Sequence, residues 1–281
     1  MTRAGSAGNT ARTVNIARYL VLTLMAVAIL LPLVSIVLAA LHPSGAQISG
    51  LSIPTTWSWS NFVDAWNDAH FNRLTLSGLI IAAGVVPLAL VLATLAGYSL
   101  ATLDPVGGRA LSLGFVLGLT LPIELVVVAL YFDLRQVGLT NSYAGVILAE
   151  TALFMPFGVY WMHNHFGSVP VELVDAARVD GARSFTILTR VLLPISWPAL
   201  TTLGLLYFMW SWNQFLLVIV LMQDPNLRTA PSGLGFFVGQ YSTNIPLLSA
   251  ASLIVIGPIV ALYLVFQRNF VSGLTQGAIK G

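Results

Sequence analysis

The chain has 281 residues, 57% of them hydrophobic and 8% charged, with a net charge of +2. A mean hydropathy of +0.87 places it among multispanning membrane proteins rather than soluble globular ones. So weak a basic balance gives no reason to expect nucleic acid, and the lack of cysteine excludes a disulfide framework, a thiol nucleophile and a thiolate metal site.

Residues 1–18 are polar and carry Arg3, Arg12 and Arg18 without an acid, which reads as a cytoplasmic tail. The apolar run 19–41 is long enough to cross about 30 Å of hydrocarbon. It also exceeds the roughly 7–15 residues of a cleavable signal core, which favours a retained first span. Residues 42–73 are hydrophilic and include Trp57, Trp59, Phe62, Trp66 and Phe71, aromatics suited to the headgroup level. Further spans are expected at 77–103, with Pro87 inside, at 110–134 and at 143–163.

A charged interruption follows at about 165–198, holding Glu172, Asp175, Arg178, Asp180, Arg183 and Arg190. Ser168 can cap a helix that begins near Val169, with Pro170 and Glu172 in its first turn. Asp180-Gly181 then marks a turn, because glycine accepts the left-handed backbone that ends helices. Ser184 can cap a second helix whose Phe185, Leu188 and Leu192 share a face until Pro194 stops it. Ala176, Ala177, Gly181 and Ala182 have almost no side chain, so the surface they form can be pressed closely into another protein. A fifth span is expected at 199–222 and a sixth at 247–267, before a polar tail at 268–281.

The fold expected is therefore all-α: a cytoplasmic tail (1–18), a six-helix transmembrane domain (19–267) with a cytoplasmic helix-turn-helix, and a cytoplasmic C-terminal tail (268–281). Six spans put both termini on one side. That side carries nine basic residues, Arg3, Arg12, Arg18, Arg109, Arg178, Arg183, Arg190, Arg268 and Lys280, against Arg73, Arg135 and Arg228 opposite. The positive-inside rule makes it the cytoplasm. Polar groups within spans are expensive, so Glu124, Glu150, Asn213 and Gln214 are candidates for a path or for interhelical bonds.

The stretch 165–198 resembles the cytoplasmic EAA loop of permease subunits of ATP-binding-cassette importers. The family's acidic-Ala-Ala, Asp-Gly-Ala and later proline stand here as Asp175-Ala176-Ala177, Asp180-Gly181-Ala182 and Pro194, with Asp175 in place of the usual glutamate. The resemblance implies that Glu172, Asp175, Ala176, Ala177, Asp180, Gly181, Ala182 and Pro194 form the coupling element that inserts into an ATPase subunit. From about Pro122 onward the chain is similar to the smaller permease of maltose-type carbohydrate importers. Gly138-Leu139-Thr140-Asn141, Trp212-Asn213 and the closing run from Gln267 to Gly281 carry that likeness. It implies that Gly277, Lys280 and Gly281 touch the ATPase dimer.

The same resemblance implies a second permease, an ATPase dimer, an extracytoplasmic solute-binding protein and a bacterial cytoplasmic membrane. The implied solute is a mono- or oligosaccharide, with a polyol or glycerol phosphate ester as the alternative. Trp210, Trp212, Asn213, Gln214, Phe215 and Glu124 are path candidates, since sugars take hydrogen bonds to hydroxyls and an aromatic face. No cofactor is expected on this chain: Lys280 is the only lysine, no phosphate loop surrounds it, and ATP with magnesium belongs on the partner. His42, His70, His163 and His165 form no His-Glu-x-x-His pair, and no internal repeat suggests a secondary carrier.

Overall fold

The computed structural model describes residues 5–239 and 242–278, with side chains for 18–122, 124–239 and 242–267. Among these the protein is helical, with one isolated bridge between Val238 and Thr243. The chain divides into two compact units: the residues up to Ala69 with Leu234–Ile254, and His70–Gly233 with the residues from Val255 on.

In the first unit, α1 (Gly5–Ala40) begins well inside the expected tail and runs unbroken past Pro32. None of its apolar window is buried, so these side chains suit a lipid or protein surround. Its C-terminal carbonyls find a partner in Asn61, whose buried amide donates to Ala40 O and His42 O, both at 2.7 Å. Asn61 belongs to α2 (Ser60–Asp68), a short amphipathic helix with Trp66 half exposed, while Trp57 and Trp59 stand outward just before it.

In the second unit, α3 (Phe71–Tyr98) continues into a π-helical turn (Ser99–Leu103). It starts six residues earlier than the expected 77, so Arg73 lies within a helix and donates to Asn226 at 3.0 Å. The second long helix of this unit, α6 (Tyr143–Gly167), opens on Ser142, whose hydroxyl accepts Gly145 N at 3.1 Å. It packs along α3 to form the centre of the fold. The backbones approach closely at Gly97, where an added Cβ would lie 2.6 Å from Met162 Cβ and 2.8 Å from the His163 backbone nitrogen.

The expected third span is two helices, α4 (Gly108–Gly118) and α5 (Ile123–Gln136). Pro122 explains the break: it lacks an amide hydrogen to continue the ladder, disfavours helix at Leu121 and is itself extended, just before α5. Thr120 turns its hydroxyl onto Leu117 O at 2.7 Å, which satisfies one freed carbonyl.

After α7 (Val171–Val179) come α8 (Ser184–Thr186), a π-helical segment (Ile187–Leu192), α9 (Leu193–Ile195) and α10 (Trp197–Asn213). The axis bends by 80° between Ile195 and Trp197. The expected fifth span is broken too, into α10 and α11 (Leu216–Leu221), with Gln214 extended between them. No proline acts there. Asn213 Nδ2 takes the Met209 carbonyl at 2.9 Å, a side-chain bond that competes with the backbone ladder. The last helices are α12 (Ala230–Gly233) and α13 (Ile245–Ala278), the latter running on through the region expected as a polar tail.

Among the described residues, four helical segments are long and apolar enough to cross a membrane: Arg18–Ala40, Phe71–Leu103, Tyr143–Gly167 and Ile245–Gln267. The bent pair Ser184–Ile195 and Trp197–Asn213 makes a fifth if counted as one span. The two discontinuities sit where six uninterrupted spans are expected, and both expose backbone that needs protein or water as a partner.

The α3–α6 contact is testable at Gly97. Gly97→Val should overpack it, costing about 1–3 kcal/mol, and lower the thermal stability of the detergent-solubilised protein. Gly114→Ala, inside α4 where nothing lies within 4 Å of the new Cβ, should not lower the melting temperature, since alanine is the better helix former.

Candidate functional site

The charged segment is built from local rules that differ in detail from the expected ones. Ser168 closes α6 rather than opening the next helix: its amide donates to Asn164 O and its hydroxyl to His165 O at 2.7 Å. Pro170, extended, stands just before α7, so that helix begins at Val171 instead of 169. Glu172 lies in its first turn, near the positive end of the helix dipole. Gly181 has φ +80°, and Ala182 N closes the turn on Ala177 O at 2.9 Å. Arg183 rather than Ser184 precedes the second helix, and Pro194 sits inside α9 instead of terminating a longer helix.

The faces of this segment also need correction. Glu172, Asp175, Ala176, Asp180, Gly181 and Pro194 are exposed, but Ala177 and Ala182 are half-buried against the protein's own core. Spacing explains it, since Ala177 lies three residues from the buried Val174 on one side of α7. Phe185 does not share a face with Leu188 and Leu192: it is 71% exposed, whereas they are buried. Residues 187–192 are π-helical, and an i→i+5 ladder puts Leu192 over Ile187 and leaves Phe185 outside that stripe. The outer surface thus carries apolar groups that spacing alone did not reveal, Val179 (87% exposed) and Phe185, beside Ala176 and Gly181. A hydrophobic residue beside Asp-Gly, where a solvated turn would carry polar ones, was the available signal.

Four hydrogen bonds brace the segment, two across its base and two to the stretch where α3 ends. His165 Nε2 meets Ser196 Oγ at 2.9 Å, and because Ser196 donates its own hydroxyl to Leu192 O at 2.7 Å, His165 is the donor. Trp161 Nε1 donates to Ala199 O at 3.2 Å. Tyr98 Oη donates to Ser184 O at 2.9 Å, and Arg178, already paired with Asp175 at 3.1 Å, reaches Thr102 O at 3.4 Å.

The path candidates separate into two groups. Trp212 is buried, donates to Val255 O at 2.9 Å, stacks on Phe208 and lies against Gly78, so it packs helices together. Trp210 is half-buried among Phe154, Phe157 and Tyr207. Asn213, Gln214 and Phe215 do come together at the α10–α11 break, with Asn213 and Phe215 exposed and Gln214 half-buried. Glu124 is exposed in the first turn of α5, at the other break, rather than midway along a span. Lys280 and Gly281 lie outside the described residues, and Gly277 falls in the part of α13 without described side chains.

Glu150, near the middle of α6, is fully buried, and neither carboxyl oxygen has a full hydrogen bond among the described residues. The Ser211 hydroxyl of α10 interacts with that carboxyl but lacks the geometry of a complete bond. Among the described residues no group of three or more His, Asp or Glu is placed to hold a metal.

Residues 86–276 match the family model described as "Binding-protein-dependent transport system inner membrane component". The chain is 29% identical to the diacetylchitobiose uptake system permease protein NgcG of Streptomyces coelicolor, over 92% of this chain and 87% of that one. It is 32% identical to the arabinooligosaccharides transport system permease protein AraQ of Halalkalibacterium halodurans (89% and 91% covered). Identity to the trehalose transport system permease protein SugB of Mycobacterium tuberculosis is 30% (90% and 93%). In fold it is similar to a chain of a bacterial ABC transporter involved in the import of the acidic polysaccharide alginate. The TM-score there is 0.78 at 21% identity, covering 93% of this chain and 98% of that one.

Burial makes Glu150 sensitive to charge and tolerant of shape. Glu150→Gln supplies an N–H donor and a C=O acceptor in the same volume beside Ser211 and should preserve membrane expression. Glu150→Lys buries an unpaired ammonium, which in a helix centre costs about 2.5–3.5 kcal/mol or more, and should abolish folded protein by size-exclusion chromatography.

Proposed function

Because the chain belongs to the family of binding-protein-dependent transport system inner membrane components, we propose that it is a sugar-translocating permease subunit of an ATP-driven importer. It is the membrane component of such a system and not its ATP-hydrolysing subunit. It pairs with a second, similar permease to enclose a pathway. Two ATPase subunits dock on the two cytoplasmic loops, and an extracytoplasmic binding protein delivers a mono- or oligosaccharide. The printed functions of the relatives support the sugar class: diacetylchitobiose, arabinooligosaccharides and trehalose are all built from pyranose or furanose rings.

The observation that carries the coupling part of this reading is the exposed turn at 176–185. Ala176 and Gly181 leave the backbone accessible, and Val179 and Phe185 offer apolar anchors on either side. Such a surface, small at its centre and apolar at its edges, suits insertion into a groove of another protein. ATP-driven closure of the ATPase pair would carry the segment with it and switch the helices between inward- and outward-facing states. The excess of arginines on the side of the termini supports a cytoplasmic position for this segment and both termini.

The path is assigned to the two helix breaks rather than to Trp210 and Trp212, which pack among other side chains. Asn213 and Gln214 offer amide donors and acceptors to sugar hydroxyls, and Phe215 offers a ring face. Backbone interrupted at membrane depth is tolerated where it lines a cavity, which fits both the 119–122 and the 214–215 interruptions.

Uptake of a labelled disaccharide by proteoliposomes holding the complete importer, with ATP sealed inside, tests the assignment. ATP-dependent uptake is expected, and uptake that ignores ATP would overturn it. Gly181→Val places a Cβ and a branched chain at φ +80°, a strain of about 1–3 kcal/mol, and should uncouple uptake while the two permeases still assemble. Gln214→Ala should lower uptake about fivefold, the effect of one lost hydrogen bond, with the ATPase still bound.

A further inference from the structure

We propose that the end of α3, residues 98–102, is the seat through which movement of the 171–195 segment enters the membrane helices, with the Tyr98 hydroxyl as its positioning group. This rests on the coupling role proposed above for that segment and names where the motion goes.

Two bonds converge on this seat from opposite sides of the Gly181 turn. Arg178, before the turn, donates to Thr102 O, and Ser184, after it, accepts from Tyr98 Oη. Five consecutive residues at the junction of α3 with its π-helical turn thus hold both arms of the helix-turn-helix, so a displacement of the turn cannot leave that junction behind without breaking a bond. The acceptors are available for a physical reason. Thr102 is among the last residues of a helix, whose final carbonyls have no partner within it, and Ser184 opens a helix only three residues long.

The seat is rigid on its membrane side and compliant on the other. Tyr98 is 5% exposed and sets its ring edge-on to Phe166 of α6 at 6.0 Å. One residue earlier, Gly97 lies against the backbone of Met162 and His163. α3 and α6 are therefore gripped together immediately above the seat. π-Helical turns flank the Tyr98–Ser184 bond in both segments, one at 99–103 within the seat itself and one at 187–192. Such turns are irregular steps in a helix and recur at hinges and functional sites. Asp104 follows with φ +43°, ending α3 abruptly.

A phenylalanine would fill the space beside Phe166 equally well, so the hydroxyl of Tyr98 is explained by its bond and not by packing. Removing it leaves the ring contact in place and loosens only the link to Ser184. Arg178 supplies the second link, longer and more exposed, so the two variants together release both arms.

The experiment measures sugar moved per ATP hydrolysed in the reconstituted importer for Tyr98→Phe, Arg178→Gln and the double variant. A merely structural role would lower the yield of assembled complex without changing this ratio. We expect Tyr98→Phe to reduce the ratio about fivefold, the effect of one hydrogen bond, and the double variant to reduce it further while the ATPase still co-purifies. A wild-type ratio in both Tyr98→Phe and the double variant would overturn the seat. Gly181→Val separates the two levels: if it uncouples while the Tyr98 variants do not, the coupling role stands and the seat is wrong. If none of the three changes the ratio, the coupling role itself falls.

Discussion

The close contact of α3 with α6 is the constraint on which the rest of the second unit depends. With no hydrophobic drive to bring helices together in lipid, association relies on van der Waals packing at small residues, and Gly97 provides it where the two backbones nearly touch. A side chain there would collide with Met162 and the His163 backbone, next to the Tyr98–Phe166 contact. The charged segment is thus positioned less by its own short helices, one nine and one three residues long, than by the pair of long helices whose ends it bridges. Helices so short are marginal without tertiary support.

The charged segment was legible because its signals are local. Pro170, Glu172 and Asp180-Gly181 each constrain one or two residues through backbone sterics or the helix dipole, and such rules survive without tertiary context. The register after the turn was not legible. Phe185, Leu188 and Leu192 satisfy a 3.6-residue period, but residues 187–192 adopt an i→i+5 ladder, which no spacing of apolar residues announces in a sequence apolar throughout. The same loss of contrast hid the facing of Ala177: helices uniformly rich in Ala, Leu and Val carry no stripe to read.

The span boundaries show where composition ceases to inform. Hydropathy marked every apolar stretch but could not say whether each was continuous. Pro87, inside α3, leaves that helix unbroken, whereas Pro122 separates α4 from α5. The difference lies in what surrounds each proline. Pro87 is embedded in a helix packed against α6 and α10, while Pro122 follows Thr120, whose hydroxyl already turns back onto Leu117 O. A break without proline, at Gln214, depends on an asparagine side chain competing for a backbone carbonyl, and that competition is invisible until the neighbours are placed.

Corrected burial also moves the candidate path. Trp212 and Asn213 are adjacent in sequence and look like one feature, but a helix points them about 100° apart. The indole goes inward to Val255 O and Gly78, and the amide goes outward at the end of α10. What remains exposed at the break, Asn213, Gln214 and Phe215, is a set of groups that costs little to desolvate one at a time. On the path proposed above, such a set would hold a neutral polyhydroxyl solute weakly, as a permease requires, because a solute held tightly at the midplane would not leave. Strong recognition then has to lie in another component, which is why a chain with no buried charge pair among its described residues can still serve a selective importer.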